Sequence, residues 1–291
     1  MAAVPTFDAL TPATDVSTSF PESVKGKTII ITGVSPDNLG LATAFALAAQ
    51  GPKRLILTGR SVDKIQASID SLKSSYPSVE YHVLLLDISS QASVRVAATN
   101  INDNPDIPEV DTLINNTGVI AIPDLTLSED GIEMSFATNH IGHFLFTNLI
   151  IRKLIAASKS SPTPTRIVNL TSFGYQFSPI RFSDINFTKK ASELPEEKRP
   201  ELQKAQYFYS RDWTNDTYSG VFLYAQSKTA NMLFSLSLTQ KLASQYGITS
   251  YAVHPGAVNT NIGRHSNKEE TRHTLNRAKE LGFSASQKIR E

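Results

Sequence analysis

Short runs of apolar and β-branched residues alternate with longer amphipathic stretches between Lys25 and Gly256. Nearly unbroken apolar strands are covered on both faces, and the stretches between these runs are long enough for helices. The pattern therefore predicts repeated βαβ units and one doubly wound, parallel α/β domain over residues 25–291. The predicted strands are residues 28–32, 54–58, 79–88, 112–115, 166–171 and 249–254.

Helices are predicted between the strands, most clearly at residues 41–50, 61–75, 131–158 and 224–246. Residues 173–222 break this alternation, because they are polar and interrupted by prolines and a charged run. A long irregular segment in a compact domain is usually functional or poorly ordered, so we predict an insertion here. It holds eleven aromatic residues, including the only tryptophan, Trp213. These could line a substrate entrance for a bulky apolar or aromatic compound, or could simply pack the insertion onto the core.

Composition favours a small-molecule partner. The 28 Lys and Arg residues nearly balance the 27 Asp and Glu residues, which gives no electrostatic basis for binding nucleic acid or an anionic membrane. The chain has no cysteine, which excludes thiolate catalysis and agrees with a cytoplasmic location. Residues 1–24 lack a basic start and an apolar core, so they predict a flexible N-terminal arm rather than a signal peptide or membrane anchor.

The first predicted strand leads into a turn that runs from Gly33 to Gly40, and a helix follows. Glycine allows the backbone to approach a pyrophosphate, and a helix N-terminus favours its charge, although any tight connection could look the same. Arg60 follows the second strand, where an NAD site usually has an acidic residue; its guanidinium suits the 2′-phosphate of NADP, or only caps a surface turn. Asp87 could accept a hydrogen bond from adenine or cap the next helix.

Tyr224 and Lys228 lie four residues apart in a predicted helix, so their side chains share one face. A free tyrosine has a pKa of ~10, and a nearby ammonium that favours the phenolate makes it a usable acid and base. The spacing alone is common in structural helices. Ser172 strengthens the interpretation because it ends the fifth strand, at the sheet edge where doubly wound folds bind ligands.

Taken together, these residues resemble the short-chain dehydrogenase/reductase family. The family order is followed from residue 25 to about 260 by the glycine turn, NNTG at 115–118, Asn139, Ser172, Tyr224 with Lys228, and Pro255 with Gly256. The runs NHIGHF at 139–144 and SPIRF at 178–182 are similar to the branch of retinol dehydrogenase-like and WW-domain-oxidoreductase-like proteins and many fungal reductases. The resemblance implies a Rossmann fold and hydride transfer between NADP(H) and a small carbonyl or alcohol substrate, in the manner of a carbonyl reductase and within secondary metabolism.

The resemblance also implies residue roles. Tyr224 would be the catalytic acid/base, Lys228 a ribose ligand that lowers the tyrosine pKa, Ser172 the group that orients the carbonyl, and Asn139 the anchor of a proton-relay water. The implied cofactor contacts, besides Tyr224 and Lys228, are Gly33, Ser35, Leu39, Gly40, Arg60, Asp87, Asn116, Gly118, Pro255, Gly256, Val258 and Thr260.

Two departures from the family pattern concern this cofactor site. The glycine turn is one residue longer than usual, with Asp37 and Asn38 where the middle glycine would fall. Thr117 replaces the alanine of the usual Asn-Asn-Ala-Gly run. Two other functions remain open: a sugar-nucleotide epimerase or dehydratase, which would need a larger C-terminal domain, and a catalytically impaired binding protein of the same fold.

Two further features carry expectations of their own. His140 and His143 lie three apart on a helix without accompanying carboxylates or cysteines, which favours packing or hydrogen bonding over metal binding. The 35 residues after Gly256 contain no clear strand pattern, and residues 267–291 look like a charged helix. We therefore expect a six-stranded sheet with an open edge, self-association into a homo-oligomer, and a hydride-transfer site more accessible to water.

Overall fold

Six parallel strands form the central sheet of the computed structural model, which describes residues 6–8, 11–209, 211–213, 216–256, 258–259, 262, 272–274, 276–277, 280 and 287–288. The strand order is β3-β2-β1-β4-β5-β6, so the chain changes direction across the sheet between β1 and β4. This confirms the predicted doubly wound fold. The strands are β1 (Thr28–Ile31), β2 (Arg54–Gly59), β3 (Glu80–Leu85), β4 (Thr112–Asn115), β5 (Arg166–Leu170) and β6 (Thr249–Val253).

Helices cover both faces of this sheet. Successive side chains of a strand point to opposite faces, so Ile29 and Ile31 of β1 pack in one core and Ile30 packs in the other. The first core lies under α2 and α3, and the second lies under α4, α6, α7 and α9. The helices are α1 (Ala13–Thr18), α2 (Leu39–Ala48), α3 (Val62–Ser75), α4 (Gln91–Asp103), α5 (Met134–Phe136), α6 (Gly142–Leu149), α7 (Ile151–Ser160), α8 (Leu202–Tyr209) and α9 (Gly220–Tyr246).

The single helix predicted at residues 131–158 is wrong in detail, because the structure divides it. Helix α5 begins at Met134, where the Glu133 carboxylate accepts a hydrogen bond of 2.9 Å from the Phe136 N–H. A π-helical segment, Ala137–Ile141, follows, and the chain bends by 56° between α6 and α7. Within the described residues no single helix is long and apolar enough to span a membrane. The bent pair Met134–Leu149 and Ile151–Ser160 together has the length and the apolar composition of a span, and nothing more than these two properties points to one.

Where the structure describes the predicted N-terminal arm, the segment contains helix α1 and the buried residue Val24, and its flexibility stays a prediction. Helix α1 packs against α2, and the Gln50 amide donates hydrogen bonds to Ser17 Oγ at 3.2 Å and Thr18 Oγ1 at 3.1 Å. Val24 is buried in the core beneath α2. Hydrogen bonds and apolar burial at these positions offset the conformational entropy that the segment loses when it is ordered.

The insertion at residues 173–222 consists of short 3₁₀ turns and α8. Its aromatic side chains form a buried group, here called the insertion core: Phe177, Phe187, Phe208, Trp213 and Phe222. A buried ion pair, Arg181 with Asp184 at 3.2 Å, lies beside it, and the Arg181 N–H donates to the Gln226 side chain on α9 at 2.8 Å. Most of these aromatic residues therefore pack the insertion onto α9, which is the alternative that the sequence left open.

The chain after Gly256 adds no strand to the sheet among the residues that the structure describes. Two-residue strands β7 (Val258–Asn259) and β8 (Gln287–Lys288) pair with each other in a separate ladder. Strand β6 is thus an edge of the six-stranded sheet, with Tyr251 and Val253 exposed. Most of the predicted charged helix at 267–291 lies outside the described residues, and self-association stays a prediction.

Candidate active site

The glycine turn after β1 is closely packed against the segment that follows β4. Gly33 has a φ of +72°, a conformation that favours glycine, and a Cβ built there would lie 2.5 Å from Thr117 Oγ1. A Cβ at Gly40 would lie 2.7 Å from the Gly33 carbonyl oxygen and 2.9 Å from Asn116 Nδ2. Both positions therefore require glycine because two backbone segments approach each other closely there.

Asn38 explains how the longer turn is accommodated. Asp37 takes a left-handed φ of +58°, which lets the chain reverse, and Asn38 then caps α2 by accepting a hydrogen bond from Leu41 N at 2.9 Å. The Asn38 amide also donates to the Gly33 carbonyl at 2.9 Å and to Ser35 Oγ at 3.0 Å. The turn thus keeps the N-terminus of α2, beginning at Leu39, beside Gly33, where an anion would be stabilised.

Thr32 joins the glycine turn to the segment after β4. Its hydroxyl oxygen accepts hydrogen bonds from Asn116 N at 2.8 Å and Thr117 N at 3.0 Å, and Asn116 Nδ2 donates to the Thr32 carbonyl at 2.7 Å. Thr117, which replaces the alanine of the family pattern, takes part in this contact through its backbone N–H. The predicted cofactor residues Gly33, Gly40, Asn116 and Gly118 are therefore brought together at the carboxyl ends of β1 and β4.

Arg60 and Asp87 lie just beyond the carboxyl ends of β2 and β3. Arg60 is exposed, and no described residue forms a hydrogen bond or ion pair with its guanidinium. Asp87 accepts hydrogen bonds from the Ser89 N–H at 3.0 Å and the Ser89 hydroxyl at 2.6 Å, whereas α4 is capped by Ser90. The suggestion that Asp87 caps this helix is wrong, because Ser90 occupies the N-cap position.

The predicted catalytic residues Ser172 and Tyr224 meet at the carboxyl end of β5. Ser172 follows the strand, and its hydroxyl accepts a hydrogen bond from Gly174 N at 3.2 Å. Tyr224 is 8% exposed, and burial raises the pKa of its phenol, while a hydrogen bond with Ser172 opposes this effect. Burial is the larger of these two effects, so the phenol is the favoured form; a lowering of this pKa by Lys228 stays a prediction.

Lys228 lies one turn further along α9, with its Nζ 5.4 Å from the centroid of the Tyr224 ring. Its ammonium is buried and donates to the Leu170 carbonyl at 2.9 Å. Burial lowers the pKa of Lys228 to about 8, because a charged group is poorly solvated there. The lysine is therefore held at the end of β5, beside Ser172 and Tyr224.

Asn139 lies in the π-helical segment and is fully buried. Its side chain accepts from Val119 N at 2.8 Å and donates to the Val119 carbonyl and to Ser227 Oγ, both at 2.9 Å. Its backbone carbonyl accepts from His143 Nδ1 at 3.1 Å and from Asn231 Nδ2 at 3.0 Å. Asn139 thus joins the loop after β4 to α9, and its role in a water relay stays a prediction.

The two histidines make hydrogen bonds, as predicted. Thr32 Oγ1 already accepts two backbone N–H groups, so its own proton is donated to His143 Nε2, at 2.9 Å. His143 must then carry its proton on Nδ1, which donates to the Asn139 carbonyl. Burial lowers the pKa of His143 to about 3, so it stays neutral. The described residues contain no cluster of three or more potential metal ligands.

The remaining predicted cofactor residues follow β6. Pro255 and Gly256 are exposed, Gly256 with a φ of +80°, and Val258 lies in β7. Thr260 lies outside the described residues. A residue that the sequence did not indicate, Ile262, approaches the site: a Cβ at Gly118 would lie 3.7 Å from Ile262 Cδ1 and 3.7 Å from Lys228 Nζ.

Comparison with known proteins identifies the family. The family model for short chain dehydrogenase matches residues 27–184, and oxidoreductase fscI of Fusarium equiseti is 38% identical over 250 residues, 86% of this chain and 94% of fscI. This chain belongs to the short-chain dehydrogenase/reductase family. Human retinol dehydrogenase 13 is 34% identical over 244 residues, which cover 84% of this chain and 62% of that protein. The chain is thus a family member of the retinol dehydrogenase-like branch, as its sequence motifs predicted.

Solved structures agree on the fold. L-sorbose reductase from Gluconobacter frateurii, in a complex with NADPH and L-sorbose, superposes with a TM-score of 0.60 at 17% identity. The match covers 90% of this chain and 86% of that one. At this identity the likeness supports the Rossmann-like architecture alone. The family match makes this chain a dehydrogenase or reductase.

Sequence reasoning gave no role in the site to three residues whose hydrogen bonds join its segments. Thr32, His143 and Asn231 each bond to a backbone group of a predicted site segment. The NHIGHF run contained a signal for His143, since a histidine four residues after Asn139 can reach its carbonyl on a helix. Ile262 carried no such signal, because its approach depends on the path of the chain after β7.

Proposed function

We propose that this protein is an NADP(H)-dependent carbonyl reductase, which moves a hydride between nicotinamide and a carbonyl or alcohol carbon. The observation that carries the proposal is the convergence of Ser172, Tyr224 and Lys228 at the carboxyl end of β5, beside the point where the strand order reverses. A hydroxyl, a phenol and an ammonium meet there, and this set can bind an oxygen and transfer a proton to it.

The residues present fit a dinucleotide. Gly33 and Gly40 have no side chains, so the backbone at the N-terminus of α2 is accessible to a ligand. A pyrophosphate there would accept hydrogen bonds from its N–H groups. Asn116 and Gly118 would lie beside the nicotinamide half, and Lys228 would bind the ribose. When bound, the nicotinamide supplies or accepts the hydride. The exposed guanidinium of Arg60, without a partner among the described residues, supports a preference for the 2′-phosphate of NADP(H).

Tyr224 acts as the acid in the reductive direction. Burial keeps its phenol protonated at neutral pH, so it can donate its proton to the carbonyl oxygen as negative charge develops there. Ser172, which is hydrogen bonded to this phenol in the absence of substrate, can turn its single hydroxyl proton to the same carbonyl oxygen. In the oxidative direction the phenolate removes the alcohol proton, and the Lys228 ammonium favours that form electrostatically.

The substrate we propose is apolar and bulky. Eight of the eleven insertion aromatics lie in the insertion core or pack against it, and the two ends of the insertion adjoin Ser172 and Tyr224 along the chain. At the second end the Tyr218 hydroxyl donates to the Ile122 carbonyl at 2.8 Å, which joins the insertion to the loop after β4. That loop exposes Leu125 and Leu127. Exposed leucines on a loop that is joined to the insertion suit a ligand with a large apolar body.

A carbonyl panel tests the proposal. NADPH and NADH oxidation are followed with large ring ketones, aromatic aldehydes and small aliphatic aldehydes, with the Tyr224→Phe variant as the blank. We expect NADPH-linked turnover that is fastest for the large apolar compounds. Faster reduction of small aliphatic aldehydes would contradict the substrate class, and a preference for NADH would contradict the assignment of Arg60. Cofactor binding without any turnover would instead indicate the impaired binding protein.

A further inference from the structure

Asn231 lies on α9, close to one turn after Lys228, and is buried. Its side-chain amide donates two hydrogen bonds, to the Asn139 carbonyl at 3.0 Å and to the Leu170 carbonyl at 3.1 Å. The Leu170 carbonyl is also the acceptor of the Lys228 ammonium, at 2.9 Å. One side chain therefore connects the π-helical segment, the end of β5 and the helix that carries Tyr224.

The orientation of this amide is fixed by chemistry. Backbone carbonyls only accept hydrogen bonds, so the Asn231 NH₂ group must face Asn139 and Leu170. Its oxygen then faces His140, whose Nδ1 lies 3.0 Å away and must carry a proton. Burial lowers the pKa of His140, so this proton belongs to a neutral imidazole. A reversed amide would place an oxygen against two carbonyl oxygens, which is repulsive.

We propose that Asn231 is a positioning residue of this enzyme: it fixes the Leu170 carbonyl, and through it the Lys228 ammonium, relative to Tyr224. The inference rests on the proposed function in its assignment of Tyr224 and Lys228. Leu170 stands two residues before Ser172, so the same amide also sets where the end of β5 presents that hydroxyl. The titratable groups around Lys228 are Tyr224 on its own helix and His140 and His143 from the helices packed against it.

Replacing Asn231 should leave the fold intact. In Asn231→Leu the Asn139 carbonyl still accepts from His143 and the Leu170 carbonyl still accepts from Lys228, so the group that loses its partner is the Nδ1–H of His140. Leucine branches at Cγ as asparagine does but is larger, so Asn231→Ala is measured beside it. The Leu170 carbonyl, however, is no longer held by Asn231, so the position of the lysine that donates to it is less fixed. Below about pH 8, where the lysine is charged, it then favours the phenolate less, because the attraction between the two groups weakens with distance.

Thr239→Val is the matched control. Thr239 lies on the same helix, and its hydroxyl donates to the Ser250 carbonyl at 3.0 Å and accepts from Ser250 N at 2.9 Å. The change also removes two hydrogen bonds between α9 and a strand, but these lie at β6 and touch no group assigned to the reaction. Both variants and the wild type are compared for kcat, KM and the pH dependence of alcohol oxidation.

We expect Asn231→Leu to lower kcat by about tenfold to a hundredfold while KM changes little. The rising limb in the pH dependence of alcohol oxidation should move to higher pH, because a less stabilised phenolate needs a higher pH to form. The Thr239→Val variant should keep the wild-type kcat and the wild-type limb. A profile for Asn231→Leu that coincides with that of Thr239→Val would overturn the inference while leaving the proposed function in place.

A second measurement does not need turnover. The Tyr224 phenol is titrated by ultraviolet difference absorbance, with the spectrum of Tyr224→Phe in the same background subtracted. Below about pH 8, where Lys228 is charged, the phenolate absorbance of Tyr224 should be smaller in Asn231→Leu than in the wild type, and identical absorbance there would overturn the inference even if the wild type reduced no carbonyl compound. If Asn231→Leu fails to fold, Asn231→Ala alone is compared, with the same expected direction.

Discussion

The Lys228 ammonium lies 5.4 Å from the centroid of the Tyr224 ring, and both groups are buried on one side of the same helix. Burial raises the pKa of the tyrosine and lowers that of the lysine to about 8, so it disfavours the charged form of each. Near neutral pH the phenol is therefore a proton donor, and the lysine is the group whose charge can favour the opposite direction of proton transfer.

Tyr224→Phe is expected to abolish turnover, by at least about a hundredfold in kcat, because it deletes the phenol that is hydrogen bonded to Ser172. NADP(H) affinity, measured by fluorescence titration, should stay within about twofold, since the ring and its packing remain. The control is Tyr81→Phe, which removes a hydroxyl that donates to the Tyr76 carbonyl on the far side of the sheet. Activity of Tyr224→Phe within a few-fold of the control would mean that another residue transfers the proton.

Arg60→Ala is expected to weaken NADPH binding by about tenfold to a hundredfold, because a charged hydrogen bond to a phosphate contributes about 1.5–3 kcal/mol. NADH affinity should change little, since NADH lacks the 2′-phosphate. Calorimetric titration with both cofactors measures the difference directly. Arg95→Ala, which removes another exposed arginine on α4, serves as the control for net charge. Equal losses for the two cofactors would show that Arg60 serves only the local structure.

The buried His143 predicts a pH dependence of stability. Its folded pKa is about 3 and its ordinary value is 6.5, so between these values the unfolded chain binds the proton more readily than the folded one. The stabilisation is complete above pH 6.5 and falls as the pH drops toward 3, by about 1.4 kcal/mol for each pH unit. Urea unfolding at pH 7 and pH 5 should therefore show a marked loss for the wild type.

The His143→Gln variant separates this histidine from other acid-sensitive groups. Glutamine can still bond to Thr32 and Asn139 but does not titrate, so the difference in unfolding free energy between pH 7 and pH 5 should shrink. His140, whose pKa is also lowered by burial, contributes in both proteins and cancels. An identical pH dependence for wild type and variant would mean that His143 is not held neutral.

The strands could be predicted from the sequence because their apolar runs are local signals. Each strand of the six-stranded sheet begins within one residue of its predicted start, for example Thr28 for β1 and Arg166 for β5. Ser172, Tyr224 and Lys228 could be predicted for a related reason, since strand ends and helical spacing place them together. The break in the helix predicted at 131–158 could not, because it depends on distant partners: Asn231 bonds the Asn139 carbonyl from another helix.

The insertion shows a second limit of local reasoning. Its irregular character follows from its prolines and charges, but its composition alone does not say whether an aromatic side chain faces a ligand or a core. The structure buries Trp213 and Phe222 against each other, with ring centroids 5.3 Å apart, and stacks the Arg181 guanidinium on Phe187. These contacts join residues from separate turns of the chain, so the local pattern of apolar and polar positions cannot predict them.

Gly40→Ala is expected to impair cofactor binding more than folding. The new Cβ would lie 2.7 Å from the Gly33 carbonyl oxygen and 2.9 Å from Asn116 Nδ2, both closer than real Cβ contacts, so the glycine turn and the segment after β4 must separate. These are the two segments proposed to hold the dinucleotide. Affinity for NADPH should fall by about tenfold or more, as a misplaced turn loses its N–H contacts with the phosphates.

The control for this change is Thr43→Ala, one turn further along α2, where the hydroxyl only donates to the Leu39 carbonyl of the same helix. Thermal unfolding without cofactor and calorimetric titration with NADPH are measured for both variants. A helix interior favours alanine over glycine, so the propensity of α2 partly compensates for the strain, and the loss of stability in Gly40→Ala should be small relative to the loss of affinity. Wild-type NADPH affinity in Gly40→Ala would show that the cofactor does not depend on the close approach of these two segments.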